Sequence, residues 1–194
     1  MKTIKNIHDS ARENNIPIML DDGMSFLLEY IRTHERIRDI LECGTAVGYS
    51  AIRMASVRWD ITVDTLEIDP VMYTEAIRNI DEQHLSGRIH CHLCDAAQYQ
   101  TDRIYDLIFI DAAKSQYRRY LEHFLRNTVP GSVFLFDNLN FHGIVDDPAL
   151  SENRSTLQMT RKILKFRDHI LADPRFHTEF YNDRGDGIAV AEVL

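Results

Sequence analysis

The sequence predicts an α/β fold: a mostly parallel seven-stranded sheet with helices on both faces and an antiparallel hairpin at the C-terminal end. Three observations predict it. Short apolar runs alternate with amphipathic segments of helical period along the whole chain. Runs such as YDLIFI (105–110) and GSVFLF (131–136) are apolar nearly throughout, which suits parallel strands covered on both sides. The last two runs flank Gly185-Asp186-Gly187, a turn pattern that closes a hairpin.

Taken in order, two helices precede the first strand, and DDGMSFLLEYIRTH (21–34) places Asp21 to cap the second of them. IRDILE (37–42) is the first strand, followed by a helix in YSAIRMASV (49–57). ITVDTLEI (61–68) is the second, followed by VMYTEAIRNIDEQ (71–83), where Tyr73, Ala76, Ile77 and Ile80 fall on one face. Pro70 suits the first position of that helix. RIHCHL (88–93) and a short helical turn come next, then 105–110 and a helix with Tyr117, Tyr120, Leu121, Phe124 and Leu125 inward. After 131–136, a long loop (137–155) leads to a helix over 155–172 with a stripe of Met159, Ile163, Phe166 and Ile170. Strands near 175–181 and 187–193 complete the set; Tyr30 and Trp59 read as packing residues.

The length, 194 residues, suits one domain over 1–194, with residues 1–36 forming helices that cover the site. Hydrophobic content of 44% and charged content of 27% are those of an ordinary globular chain. Nothing reaches the ~18 apolar residues of a membrane span, and the N-terminus lacks the apolar core of a secretory signal. A cytoplasmic protein with reduced cysteines is expected. The net charge of −8 argues against indiscriminate binding to nucleic acid or anionic membranes, though a local basic patch is compatible with it.

The chemistry gathers at predicted strand ends. After the first strand, Glu42-Cys43-Gly44-Thr45-Ala46-Val47-Gly48-Tyr49-Ser50 carries glycines spaced G-x-x-x-G, which let backbone approach a ligand closely. The G-x-G-x-x-G of dinucleotide binders is absent, which weighs against a nicotinamide-dependent oxidoreductase. No base stands in the loop, so Glu42 suits a neutral or cationic nucleoside-type ligand. Glu67 ends the second strand where an acid accepts ribose hydroxyls, and Asp95 is placed to meet an adenine amino group. Asp111 ends the fourth strand, and Asp137-Asn138 ends the fifth. Three hard oxygen donors without histidine or cysteine suit Mg²⁺ and disfavour zinc. Lys114, one turn after Asp111, reaches the same rim; partly desolvated there, it would lose basicity and could take a proton from a hydroxyl. The competing reading is a salt bridge to one of the aspartates.

These residues resemble the cation-dependent O-methyltransferases that include catechol O-methyltransferase. LECGTAVGYSAIRMA is similar to the family's S-adenosylmethionine loop, LEID to its ribose-binding strand end, FIDAAKSQY and DNLNFHG to its metal motifs, and GDGIAVA to its closing hairpin. The resemblance implies a Rossmann-like class I methyltransferase fold. It implies Ile18, Glu42, Gly44, Ala46, Tyr49, Ser50, Glu67, Ile68, Asp95, Ala96 and Asp111 as contacts of S-adenosylmethionine. It also implies Asp111, Asp137 and Asn138 as Mg²⁺ ligands and Lys114 as the general base. Cys43 and Cys94 replace the family's usual apolar residue and glycine.

ENNIPIMLDDGMSFLLEYI, with GTAVGYSAIRMA and DAAKSQY, further resembles the bacterial tRNA 5-hydroxyuridine methyltransferases. That implies O-methylation of a modified uridine at the wobble position of tRNA, giving 5-methoxyuridine. A small catechol-like acceptor is the alternative, since both offer a hydroxyl with a vicinal oxygen. A tRNA needs a phosphate-contacting rim. Arg118 and Arg119 lie just beyond Lys114, Arg154, Arg161, Lys162, Lys165 and Arg167 follow the long loop, and His142 is a further substrate candidate. A homodimer would join two such rims. The acidic total charge disfavours a non-catalytic RNA-binding module. Cys91-x-x-Cys94 has zinc-like spacing but lacks a second pair, and reads as incidental.

Overall fold

The structure, a computed structural model, describes residues 3–194. Its sheet is built from β1 (Asp39–Cys43), β2 (Thr62–Glu67), β3 (Ile89–Leu93), β4 (Leu107–Ile110), β5 (Val133–Phe136), β6 (Phe176–Tyr181) and β7 (Ile188–Val193). Six α-helices flank it: α1 (Ile4–Glu13), α2 (Asp21–Thr33), α3 (Tyr49–Ala55), α4 (Pro70–Glu82), α5 (Tyr117–Phe124) and α6 (Arg154–Ala172). The strand order is β3-β2-β1-β4-β5-β7-β6. β7 runs antiparallel to both of its neighbours, and every other pairing is parallel.

Alternation along the strands divides the core in two. Ile40, Leu107, Phe109, Val133 and Leu135 pack with α1–α4 on one face. Leu41, Ile108, Ile110, Phe134 and Phe136 pack with α5 and α6 on the other. All of these are buried, as continuous apolar strands require. The order reverses between β1 and β4, so the chain leaves β1 toward one face of the sheet and β4 toward the other, and a crevice opens between the two connections at the C-terminal strand ends. Among the described residues no helix is long and apolar enough to cross a membrane.

Local chemistry fixes the helix starts. Pro70 opens α4, and the Asp69 carboxylate caps it through the backbone N–H of Val71 (2.7 Å) and Met72 (3.3 Å). Gly48, at φ 81°, caps α3 where a Cβ would be strained. Three sequence expectations are corrected. Leu20, not Asp21, holds the cap position of α2; Asp21 lies in the first turn and meets His8 Nε2 at 3.0 Å and Arg12 at 3.6 Å, tying α1 to α2. Ile77 is 42% exposed, and Asn79 takes the inward place because its carboxamide donates to the Val47 carbonyl at 2.9 Å. Trp59 is 86% exposed: in its turn the neighbouring Arg58 points inward to the carbonyls of Ile31 and Ile37, leaving Trp59 outside.

Candidate active site

The crevice holds a cavity of about 530 Å³ bordered by six chain segments. The α1–α2 connector contributes Ile16, Pro17, Ile18 and Met19. The loop after β1 contributes Gly44, Thr45 and Ala46, with Tyr49 and Ser50 from α3. Leu66, Glu67, Ile68 and Met72 come from the end of β2 and α4, and Cys94, Asp95 and Ala96 follow β3. Asp111 to Lys114, Gln116, Arg119, Tyr120 and Asn138 close the far end.

Gly44 shows why this loop needs glycine. Its φ is 105°, and an added Cβ would stand 2.2 Å from the Asp111 carbonyl oxygen. The loop after β1 and the tip of β4 are therefore in backbone contact. Glu67 folds over the loop: one carboxylate oxygen accepts the Ala46 N–H at 2.7 Å, the other those of Ile68 and Asp69 at 2.9 Å. That fixes an acid on the cavity wall at the end of β2.

At the far end, β4 and β5 deliver Asp111 and Asp137 side by side. Burial, then the charge of Asp111, pushes the Asp137 carboxyl upward; burial raises Asp111 too, and Lys114 opposes it. Oδ1 of Asp137 accepts the Asn138 N–H at 2.8 Å, whereas Oδ2 is buried with no hydrogen-bond partner among the described residues. Lys114 Nζ donates to Asn138 Oδ1, so the amine is paired with the amide and not with an aspartate. Asn138, Phe141 and His142 have φ of 61°, 47° and 58°, three left-handed non-glycine residues within five. The Phe141 ring lies 5.9 Å from Lys114 Nζ.

The family model for O-methyltransferases matches residues 2–193. The chain belongs to the O-methyltransferase family. It is an S-adenosylmethionine-dependent O-methyltransferase. It is 34% identical over 153 residues to a catechol O-methyltransferase of Niastella koreensis, spanning 75% of this chain and 67% of that protein. A structure from Staphylococcus aureus, named as a candidate caffeoyl-CoA O-methyltransferase, superimposes with a TM-score of 0.93 at 29% identity, covering 100% of this chain and 93% of that one. An O-methyltransferase from Bacillus cereus, in complex with S-adenosylhomocysteine, superimposes with a TM-score of 0.82 at 26% identity, covering 100% and 92%.

In this O-methyltransferase the cavity brings together thirteen of the residues singled out in the sequence: Ile18, Gly44, Ala46, Tyr49, Ser50, Glu67, Ile68, Asp95, Ala96, Asp111, Lys114, Arg119 and Asn138. Four do not line it. Glu42 is wholly buried on the α3 side, where the hydroxyls of Ser50 and Thr65 donate to its carboxyl. Asp137 stands behind the wall, fully buried. Arg118 points to solvent because successive helical side chains diverge by ~100° and Arg119 takes the wall. His142 is exposed, its N–H donating to Asp186 Oδ1 at 2.6 Å. The connector residues Ile16, Pro17 and Met19, and Met72 and Gln116, carry no sequence signal of their own; position beside Ile18 was the available clue for the first three.

Asp111, Asp137 and Asn138 fit a hard divalent cation. The donor set is all oxygen, and Asp137 Oδ2 is a buried acceptor left without a donor, a state that ordinary folded proteins avoid.

Proposed function

We propose that this enzyme methylates a hydroxyl that has an oxygen on the adjacent carbon, using S-adenosylmethionine and Mg²⁺, and that its acceptor is 5-hydroxyuridine at the wobble position of tRNA. The observation that carries the reading is the buried Asp137 Oδ2, without a hydrogen-bond partner among the described residues, directly behind the Asp111, Lys114 and Asn138 wall of a nucleoside-sized cavity. Asp111, Asp137 and Asn138 would hold the ion. Bound there, Mg²⁺ supplies the charge that makes a hydroxyl more acidic.

The chain's own residues do the rest. Gly44 and Ala46, on the cavity wall, would let the donor lie against backbone, Glu67 would hold the ribose hydroxyls, and Asp95 would meet the adenine amino group. Lys114 Nζ, which meets Asn138 Oδ1 and is flanked by the Phe141 ring, would accept the hydroxyl proton. The acceptor oxygen then attacks the sulfonium methyl carbon; the C–S bond breaks, and its electron pair stays on sulfur. Positioning and electrostatics would supply most of the acceleration.

The tRNA reading is supported by charge placement. Arg118, Arg119, Arg154, Arg161, Lys162 and Lys165 make no ion pair among the described residues, whereas Arg167 is paired with Asp146 at 2.8 Å. Arg119 lines the cavity, and α6 packs on the turn that carries Lys114. Exposed basic side chains without ion-pair partners among the described residues, one of them at the cavity, suit a polyanionic acceptor even on an acidic protein. A second reading, a small catechol-like acceptor, is favoured by the similarity to a catechol O-methyltransferase. Labelled donor offered with hypomodified tRNA and with a catechol panel separates them. Transfer to tRNA that weakens steeply with salt is expected; transfer to catechols alone rejects the tRNA acceptor.

A further inference from the structure

The loop that follows β5 is held from outside by the turn between β6 and β7. The N–H of Leu139 donates to the Gly187 carbonyl at 2.8 Å, and that of Asn140 to the Asp186 carbonyl at 2.7 Å. The Asp186 carboxylate is buried and accepts the His142 N–H at 2.6 Å. Asn140 donates from its side chain to the Asn182 carbonyl at 3.1 Å. The turn is seated in its own right: Gly185 N–H donates to Asp22 Oδ2 of α2 at 2.8 Å, and an added Cβ on Gly185 would meet Gly23 Cα at 3.2 Å and Asp137 Oδ1 at 3.4 Å. A Cβ on Gly187 would stand 2.8 Å from the backbone nitrogen of Asn140. This close packing lies against the segment with three left-handed residues, a conformation that persists only where the surroundings over-determine it.

We infer that Asp186 is a positioning residue for methyl transfer: through the His142 N–H and its own carbonyl it holds residues 138–142 in the strained form that presents Asn138 to Lys114. The inference rests on the proposed role of Lys114 and Asn138 and adds to it the device that sets their geometry. Asp186 does not line the cavity; it acts on the loop through hydrogen bonds, and its charge also bears on Asp137.

The test combines amide hydrogen exchange with kinetics on Asp186→Ala, Asp186→Asn and Asp186→Glu. Asp186→Asn keeps an oxygen at the same place, and Asp186→Glu keeps the charge while moving it by one methylene. Expected for Asp186→Ala and Asp186→Glu is exchange at Leu139, Asn140 and His142 faster by about tenfold or more, with β5 amides and donor affinity unchanged. Turnover falls on the order of 10²-fold, chiefly in kcat. Asp186→Asn keeps the loop amides as protected as in the parent protein. Unaltered exchange over 138–142 in folded Asp186→Glu overturns the inference, and so does a loop loosened by Asp186→Asn but not by Asp186→Glu. Exchange needs neither metal nor acceptor. A parent enzyme that methylates no offered acceptor therefore counts against the proposed reaction and leaves the clamp to be decided by exchange.

Discussion

Asp137 and Asp64 are the same chemical group at the same depth, 0% and 3% exposed, and they behave oppositely. Asp64, inside β2, is saturated. One oxygen accepts from Arg103 and from the Tyr105 hydroxyl, each at 2.7 Å; the other has His90 Nδ1 at 3.1 Å and His92 Nε2 at 3.7 Å. Burial alone would raise this carboxyl, but His92, Tyr105, Arg103 and His90 outweigh it and bring it down to about 2. Asp137 has one backbone donor and one bare oxygen, and its neighbour is another acid. Depth does not decide the fate of a buried carboxylate; partners do. A saturated one belongs to the scaffold, and one kept short of donors has capacity left for a ligand.

The comparison is broken most severely at Asp137. Asp137→Ala should lower turnover by at least on the order of 10²-fold while calorimetry shows donor binding intact. Asp64→Ala, once folded, should turn over normally. Equal losses in the two variants would erase the distinction. Next in size is removal of the ion. Excess chelator should reduce transfer to background and Mg²⁺ should restore it. In thermal melts Mg²⁺ at ~100 times its dissociation constant should stabilise the parent protein by about 2.7 kcal/mol and leave Asp137→Ala unmoved. Activity that survives chelation defeats the metal assignment.

Asp64 supplies the third and smaller effect. Removing one partner of a buried pair costs about 3–5 kcal/mol, but Arg103 is 40% exposed and water can take its guanidinium back, so Asp64→Ala should destabilise by about 2–4 kcal/mol. The pH sign follows from the lowered carboxyl. Its stabilisation is present above the ordinary value of 3.8 and is lost as pH falls from there through about 2. Calorimetric unfolding across that range should show a shallower acid limb for Asp64→Ala; parallel limbs would contradict it.

How much of this was legible in the sequence differs between the same two regions. Strand continuity exposed the fold, because Leu107–Ile110 and Val133–Phe136 are apolar at every position and parallel strands need that. The hard-oxygen set was legible from position alone, since strand ends in such a sheet converge on one side. What a sequence cannot carry is the direction of a side chain at the crevice. Arg118 and Arg119 are adjacent, and only the second lines the cavity. Nor could it reveal that Asp137 Oδ2 lacks a donor, or that Asp64 has gathered partners from β3 and from the 99–105 segment. Both facts depend on register across strands: His90 stands opposite Asp64, a pairing fixed by the β2–β3 ladder and not by spacing in the chain.

Glu42 sharpens the contrast with the smallest effect. It pairs in register with Thr65, one residue along β2 from Asp64, and therefore on the opposite face of the sheet. Among the described residues its carboxyl has only the hydroxyls of Ser50 and Thr65 as hydrogen-bond partners, with Thr45 Oγ1 behind the latter at 2.6 Å. Without a cation to offset burial, its carboxyl is pushed up to about 8. The folded protein therefore keeps this proton over the interval from the ordinary 4.5 to about 8, where the unfolded chain has lost it. Stability from this group is complete below 4.5 and declines as pH rises through that interval, by up to about 1.4 kcal/mol per pH unit. Glu42→Gln keeps the shape and removes the ionisation. Its melting temperature should lose less than that of the parent protein between about pH 5 and about pH 8, by a few degrees. The same alkaline decline in both proteins would mean that Glu42 is charged in the fold, and that hydroxyls alone can hold a buried carboxylate as Arg103 and Tyr105 hold Asp64.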